Sequence, residues 1–300
     1  MAVSVPANPE LRTGAVVLYY RNPGAIRATL EIVSALRSRG VLAEALVVDN
    51  ASEDGVLRAL APDFPTLTFY ESASNLGYAA AINHAIRALQ DAGFEACLVL
   101  THECLLDDYA LDALQRHLSQ DSSLGVCGPA LFRRSSPSAL FSLGGTYDPR
   151  RGTARHKTWL ADEPLAAGAL DVDWLDGSCL LVRIEAWASV GGIDEKFFLY
   201  GEELDFALRL RTRGWRVRLV ASARAQQDTS GAPTYYAVRN GLFVASRHGN
   251  RGAVAWLLAT NARRIAASLR RRDLRSATDG MRGMVHFVRR RGGPDKRRRG

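Results

Sequence analysis

The chain has 300 residues, and its 39 Lys and Arg outnumber 31 Asp and Glu to give a formal net charge of +8. Residues 251–300 account for the surplus with 15 basic and three acidic groups, which leaves the first 250 residues at −4. Positive charge gathered at one end argues against a body that wraps nucleic acid, and a 47% hydrophobic content argues against disorder throughout.

In chain order, Gly14–Tyr20 (GAVVLYY) is a short β-branched apolar run, as expected of a buried parallel strand. Asn22-Pro23 supplies an N-cap and an N1 proline for a helix that Gly40 ends. Ala45–Val48 is a strand running into Asp49-Asn50, and Leu67–Tyr70 is another. A helix over 78–90 precedes strand Ala96–Leu100, which runs into Thr101-His102-Glu103. This alternation predicts an open, mostly parallel α/β sheet, whose ligands bind at the strand carboxyl ends. Farther on, Leu124–Phe132 reads as a strand, Arg133–Gly152 as hairpins and loops, and Asp173–Arg183 as a strand segment. Glu185–Val190 is a short helix, Glu202–Arg213 a helix closed by Gly214, and Trp215–Val220 the last strand.

The chain shows no apolar run near the roughly 18–20 residues of a membrane-spanning helix. MAVSVPANPE has neither the basic nor the apolar region of a secretory leader. Cys97, Cys104, Cys127 and Cys179 lack zinc spacing and read as reduced core thiols, so a cytoplasmic protein is expected.

Three segments carry candidate chemistry. In Asp49-Asn50-Ala51-Ser52, a carboxylate at a strand end can accept the N3–H of a pyrimidine and the amide can bond a ribose. The same residues suit a turn in which Asp49 or Ser52 caps the next helix. In Asn75-Leu76-Gly77-Tyr78, a glycine at a helix N-terminus lets backbone approach a diphosphate, although a plain capped helix fits as well. In residues 191–205 (GGIDEKFFLYGEELD), aromatic residues beside carboxylates can hold a base in a partly dry pocket and raise its pKa. Acids at a helix start also suit the macrodipole alone.

In this order, VVLYYRN, VDNASEDG, NLGYAAAIN, VGGIDEKFFLYGEELDFALRLRTRGW and YYAVRN resemble the family-2 inverting glycosyltransferases of GT-A fold, especially the bacterial rhamnosyltransferase-like branch. The resemblance runs from about Ala15 to Asn250. It implies a Rossmann-like, mostly parallel sheet, a nucleoside-diphosphate sugar donor and a saccharide or lipid-linked acceptor. Tyr20, Asp49 and Asn50 match the nucleobase pocket, and Asn75, Gly77 and Asn83 match the loop and helix near ribose and phosphates. Glu202-Glu203 matches the family's Glu-Asp pair, with Glu203 as base, and Asp205 matches the following acid that orients the site. Trp174, Asp176 and Gly177 match the acceptor border. The implied organisation is an extension over 1–12, a body over 13–250 and a helical tail over 251–300. Within the body, 13–105 is the nucleotide-binding half and 106–250 the acceptor half.

Departures concern the cation. The family's Asp-x-Asp type sequence, which holds Mg²⁺ or Mn²⁺, reads Thr101-His102-Glu103 here, and Gln227 stands where a late His ligand is usual. Glu103 alone can serve a cation bound mainly by substrate phosphates, and His102 reads as a structural donor. Arginines such as Arg239 are candidates to offset diphosphate charge. Asp107-Asp108 could pass for a displaced metal motif but reads better as the cap of the helix through Leu111 and Leu114. Two classes stay open: an active transferase, and an impaired relative that binds a nucleotide sugar or glycan as scaffold. In the tail, Val254, Leu257, Leu258, Ile265 and Leu269, then Met281, Met284, Val285 and Val288, fall at helical spacing among arginines. Two such helices followed by Lys296–Arg299 suit an anionic membrane surface at its inner face, or a helix packed on the body.

Overall fold

Thr13–Tyr19 (β1) is buried along its whole length because both of its faces are covered. Ala15, Val17 and Tyr19 enter one core with Ile26, Leu30 and Val33 of α1 (Pro23–Ser38). Val16 and Leu18 enter a second core, on the opposite face. The computed structural model describes residues 11–157, 168–228 and 231–295, so the N-terminal decapeptide and Lys296–Arg299 lie outside the described residues.

The first half continues with β2 (Glu44–Asp49), α2 (Val56–Leu60), β3 (Thr68–Glu71), α3 (Gly77–Asp91) and β4 (Ala96–Thr101). Ile82, Ile86 and Leu89 of α3 fill the second core. Next come β5 (Leu105–Leu106), α4 (Ala110–Gln120), β6 (Leu124–Arg133) and the antiparallel strands β7 (Ser136–Ser142), β8 (Gly145–Asp148) and β9 (Thr153–His156). They are followed by β10 (Ala169–Asp171), β11 (Cys179–Arg183), α5 (Ile184–Ser189), α6 (Glu202–Thr212) and β12 (Arg216–Gln227). Three helices close the chain: α7 (Thr234–His248), α8 (Ala253–Arg270) and α9 (Leu274–Val288).

The main sheet runs β10-β12-β6-β11-β4-β1-β2-β3. Strands β4, β1, β2 and β3 are mutually parallel, while β11 enters antiparallel between β4 and β6. The strand-to-helix alternation of the first half thus yields the parallel sheet it predicts, and the second half mixes directions.

Several local expectations change. Asn22 holds the N-cap position of α1 without a side-chain hydrogen bond. Asp173–Ser178 is a loop apart from an isolated antiparallel bridge between Trp174 and Gly145, and of the expected segment Cys179–Arg183 forms the strand. The last strand extends to Gln227, because Arg224–Gln227 continue along β6 after an irregularity at Val220. Neither Asp107 nor Asp108 caps α4, whose N-cap is Tyr109 at φ 63°; the Asp107 carbonyl accepts the Ala110 N–H instead. In the tail, α9 packs on α7 through small residues. A Cβ at Gly283 would stand 2.9 Å from Tyr235 O and 3.0 Å from Val238 Cβ.

Candidate active site

Helix α6 starts after Gly201 in the left-handed region (φ 87°), so Glu202, Glu203 and Asp205 all fall in its first turn. The approach to it is strained, with Phe198 and Tyr200 both at φ 67°, a conformation that costs a residue with a side chain of order 1–3 kcal/mol. Neighbouring side chains hold the strain in place. Asn240 Nδ2 donates to the carbonyls of Phe197, Leu199 and Tyr200 at 3.2, 2.9 and 2.6 Å. Arg239 donates to Phe197 O at 2.6 Å, and the Tyr78 N–H donates to Phe198 O at 2.8 Å. Upstream, the Asn83 amide donates to Ile193 O and Glu195, and its oxygen accepts from the Trp187 indole and the Ile193 N–H.

The three acids then diverge. Glu203 Oε2 accepts the Gly201 N–H at 3.0 Å, yet burial, reinforced by the charge of Asp176, pushes its pKa up to about 7. Glu202 is buried with one oxygen unpartnered among the described residues, and burial followed by the charge of Glu203 pushes it well up. Asp205 is fully buried, which alone would raise it. A hydrogen bond from His248 and the charges of Arg209 and Arg247 outweigh burial and hold it below the usual carboxylate range.

Glu202 and Glu203 open onto a cleft of about 1300 Å³ between the sheet's strand ends and the α7–α8 pair. Tyr20, Asn50, Asn75, Gly77, Trp174, Asp176 and Gly177 line it too. Asn50 Nδ2 donates to Asn75 Oδ1 and Gly77 O, and its oxygen accepts the Leu76 N–H, so this amide braces the loop before α3. Gly77 has φ +78°, and a Cβ there would meet Phe198 O at 2.4 Å. The close backbone approach expected of a diphosphate is thus made by the acidic loop. The Tyr78 hydroxyl donates to Gly177 O at 2.5 Å, and a Cβ at Gly177 would lie 3.4 Å from Glu203 Cβ. Burial raises the Asp176 pKa against the opposing pull of His156, whose Nδ1 lies 3.7 Å from Asp176 Oδ1.

Asp49 and Asn83 stand behind the cleft wall. Asp49 Oδ1 accepts the Ser52 N–H at 2.8 Å and shapes the turn, while three hydrogen bonds of Asn83 order residues 193–195 and a fourth holds Trp187. Arg239 departs from expectation most clearly. It is fully buried and bonded to Asn240, the Tyr235 hydroxyl, Gly293 O and Phe197 O, so it holds structure instead of facing a diphosphate. Among described residues the cleft-lining arginines are Arg21 and Arg264.

Thr101, His102 and Glu103 at the end of β4 and Gln227 at the end of β12 line the same cleft. His102 Nδ1 lies 3.2 Å from Leu18 O, and burial holds its pKa below the usual imidazole range, consistent with a structural ring. Burial and the charge of Asp228 raise Glu103 against the pull of Arg134. No cluster of three or more His, Cys, Asp or Glu gathers among the described residues to hold a metal ion. The oxygens present nevertheless suit a hard cation that takes most of its ligands from phosphate and water. Thr101 Oγ1 is buried without a partner among the described residues, and Glu103 and Gln227 line the same cleft with a carboxylate and an amide.

Sequence reading did not single out His156, Phe198, Ser178 or Tyr236, which also line the cleft. Phe198 and Tyr236 stack at 6.0 Å, and both belong to the quoted motifs, so their position was open to notice. His156 sits on a hairpin with no motif around it and carried no signal.

Comparison with known proteins agrees with this frame. The glycosyltransferase like family 2 model matches residues 9–255. An N-acetylglucosaminyl-diphospho-decaprenol L-rhamnosyltransferase of Mycobacterium tuberculosis is 29% identical over 244 residues, covering 71% of this chain and 78% of its own. Among solved structures, GalNAc-T7 with UDP, GalNAc and Mn²⁺ aligns with a TM-score of 0.60 at 13% identity, over 77% of this chain and 48% of that one. The mannosyltransferase PcManGT of Pyrobaculum calidifontis, with GDP-Man and Mn²⁺, aligns at 0.52 and 18% identity, over 93% and 87%. At such identities the likeness concerns the GT-A fold. A family match of this length, on this frame and around this acidic cleft, makes the chain a member of glycosyltransferase family 2, whose enzymes transfer sugars with inversion at the anomeric carbon.

Proposed function

We propose that the chain moves rhamnose or a similar hexose from a nucleoside-diphosphate sugar to a lipid-linked or polysaccharide acceptor of the cell envelope. The observation that carries this reading is the Glu203 carboxylate, pushed up to about 7 at the cleft wall and oriented by the Gly201 N–H. A base with that pKa is half ionised near neutrality, the condition in which proton abstraction is most effective. Glu203 takes the proton of the acceptor hydroxyl as that oxygen attacks C1 of the sugar, and the bond from C1 to the diphosphate oxygen breaks on the opposite face. Asp205, ionised and fixed by Arg209, Arg247 and a hydrogen bond from His248, keeps the first turn of α6 in register. Glu103, Thr101 and Gln227 are the residues that would hold a Mg²⁺ or Mn²⁺ ion, which supplies charge neutralisation at the diphosphate. The mycobacterial relative's sugar-diphospho-lipid acceptor supports an acceptor of the same class, met by this chain at a membrane surface through α8 and α9.

A second reading, an impaired relative that binds a nucleotide sugar or glycan as scaffold or regulator, is favoured by the single carboxylate at the end of β4. One experiment separates them. A thermal-shift screen over nucleoside diphosphates and their sugars, with and without Mn²⁺, identifies the donor by the stability it adds. Release of nucleoside diphosphate is then measured for the wild type and Glu203→Gln. The variant is expected to bind the donor normally and lose roughly 10²–10⁴-fold in turnover. Donor binding without turnover by the wild type would establish the second reading.

A further inference from the structure

The last described residues return to the cleft, and they do so beyond residue 255, where the family match ends. Pro294 and Asp295 line the cleft itself. The Gly293 N–H donates to Lys196 O at 2.9 Å, and Gly293 O accepts from Arg239 at 2.6 Å. The Asp295 N–H donates to the Tyr236 hydroxyl at 3.0 Å, and the Asp295 carboxylate pairs with Arg282 of α9. Gly292 lies so close to Lys196 that an added Cβ would stand 2.3 Å from its Cγ and 2.7 Å from its carbonyl oxygen. A four-residue strap thus lies across the strained loop that delivers the first turn of α6.

We propose that residues 292–295 are a positioning element for the transfer described above, setting the acidic loop and through it the Glu203 carboxylate. This rests on Glu203 being the base. Besides the direct contact at Lys196, one side chain joins the two. Arg239 grips Gly293 O with one nitrogen and Phe197 O with another, so strap and loop share a single buried guanidinium. Four residues later the same loop presents the Gly201 N–H to Glu203. The strap acts on where the base stands: the contacts above fall on Lys196, on Tyr236 and, through Arg239, on Phe197, and not on the donor-side residues Tyr20, Asn50 and Asn75. Residues 256–295 are therefore part of the catalytic apparatus as well as a basic appendage.

The test uses full-length chains. Gly292→Ala and Gly292→Val insert a graded wedge between strap and loop at an exposed site, without removing any buried partner. A third chain replaces Lys296, Arg297, Arg298 and Arg299 by Gln. The glycine variants should lose about tenfold to hundredfold in kcat, in the order Val worse than Ala, with donor KM and melting temperature close to the wild type. Weakening the Gly201 contact also moves the acid limb of the kcat/KM profile to higher pH, since that N–H favours the ionised Glu203 against burial and Asp176. Amide exchange across residues 195–203 should quicken in the same order. The glutamine variant should keep wild-type kcat. Unchanged exchange in both glycine variants overturns the proposal even if no donor is turned over. Unchanged kcat in an active enzyme, or an equal loss in the glutamine variant, overturns it too. Absence of wild-type turnover with quickened exchange would instead strike only the assignment of Glu203.

Discussion

Glu202, Glu203 and Asp205 occupy one helical turn, and their surroundings drive them to opposite charge states. Asp205 has two arginines and a hydrogen bond from His248 and stays ionised; Glu203 has only backbone N–H groups against burial and a neighbouring carboxylate, and rises to about 7. This divergence gives the two acids the charge states that the proposed roles of orienting acid and proton acceptor call for, without changing residue type by more than a methylene. It also carries a stability cost with a definite sign. The folded chain holds a proton on Glu203 that the unfolded chain releases between the ordinary glutamate range and about 7, so stability falls as pH rises through that window. Glu203→Gln removes this fall. Urea unfolding should find the variant more stable than the wild type at pH 8, by up to about 3 kcal/mol, and nearly equal to it at pH 5. Equal stability at both pH values would mean that the carboxylate is better solvated than its surroundings imply. The sequence displayed the acid cluster and its aromatic flank plainly. It did not display which acid would be neutralised, because Arg209, Arg247 and His248 reach Asp205 from i+4 and from another helix.

Among the elements, the loop before α6 and the start of α3 form one unit. Phe198 O receives the Tyr78 N–H, and Gly77 leaves room for that carbonyl. Gly77→Ala places a side chain at φ +78° and 2.4 Å from Phe198 O. The left-handed backbone alone costs roughly 1–2 kcal/mol, and the clash must move the acidic loop as well. Lower urea midpoints together with weaker nucleoside-diphosphate binding are the expected outcome; a variant matching the wild type in both would show the loop free to retreat. Legibility at this scale followed burial. Strands β1, β2 and β4 are covered on both faces, so their apolar runs announced them. The end of β12 did not, since Arg224–Gln227 pair with β5 and β6 with little apolar pattern of their own. Asp173–Ser178 misled in the reverse direction, as Trp174 and Leu175 are buried by a loop that serves the cleft.

For the whole molecule, the question is why a helix so well packed keeps so much apolar surface outside. Helix α9 turns Ala277, Gly280 and Gly283 inward, and leaves Leu274, Met281, Val285 and Val288 exposed at 66, 43, 44 and 71%. Of the nine exposed large apolar side chains among described residues, six belong to α8 and α9, so uncovered apolar surface gathers on these two helices. Exposed Arg271, Arg272 and Arg275 lie at one end of the stripe and Arg289, Arg290 and Arg291 at the other. No helix among the described residues is long and apolar enough to cross a membrane, so contact of this kind would lie along a surface. Amphipathic spacing was visible in the sequence, but the side that packs was not: small residues, which carry little hydropathic weight, won the interior. Deleting the tail would therefore uncover α7 and confuse any binding measurement, whereas Val285→Ser with Val288→Ser changes only the outer stripe. On flotation with vesicles rich in anionic phospholipid, the wild type should bind and release at high salt, each arginine near the surface contributing about 1 kcal/mol. The double variant should bind roughly tenfold or more weakly, from the apolar groups it no longer buries, and still show the wild-type shift with a nucleoside diphosphate. Equal flotation of wild type and variant, or equal binding to neutral vesicles, would remove the membrane from this face and leave the stripe to a protein partner.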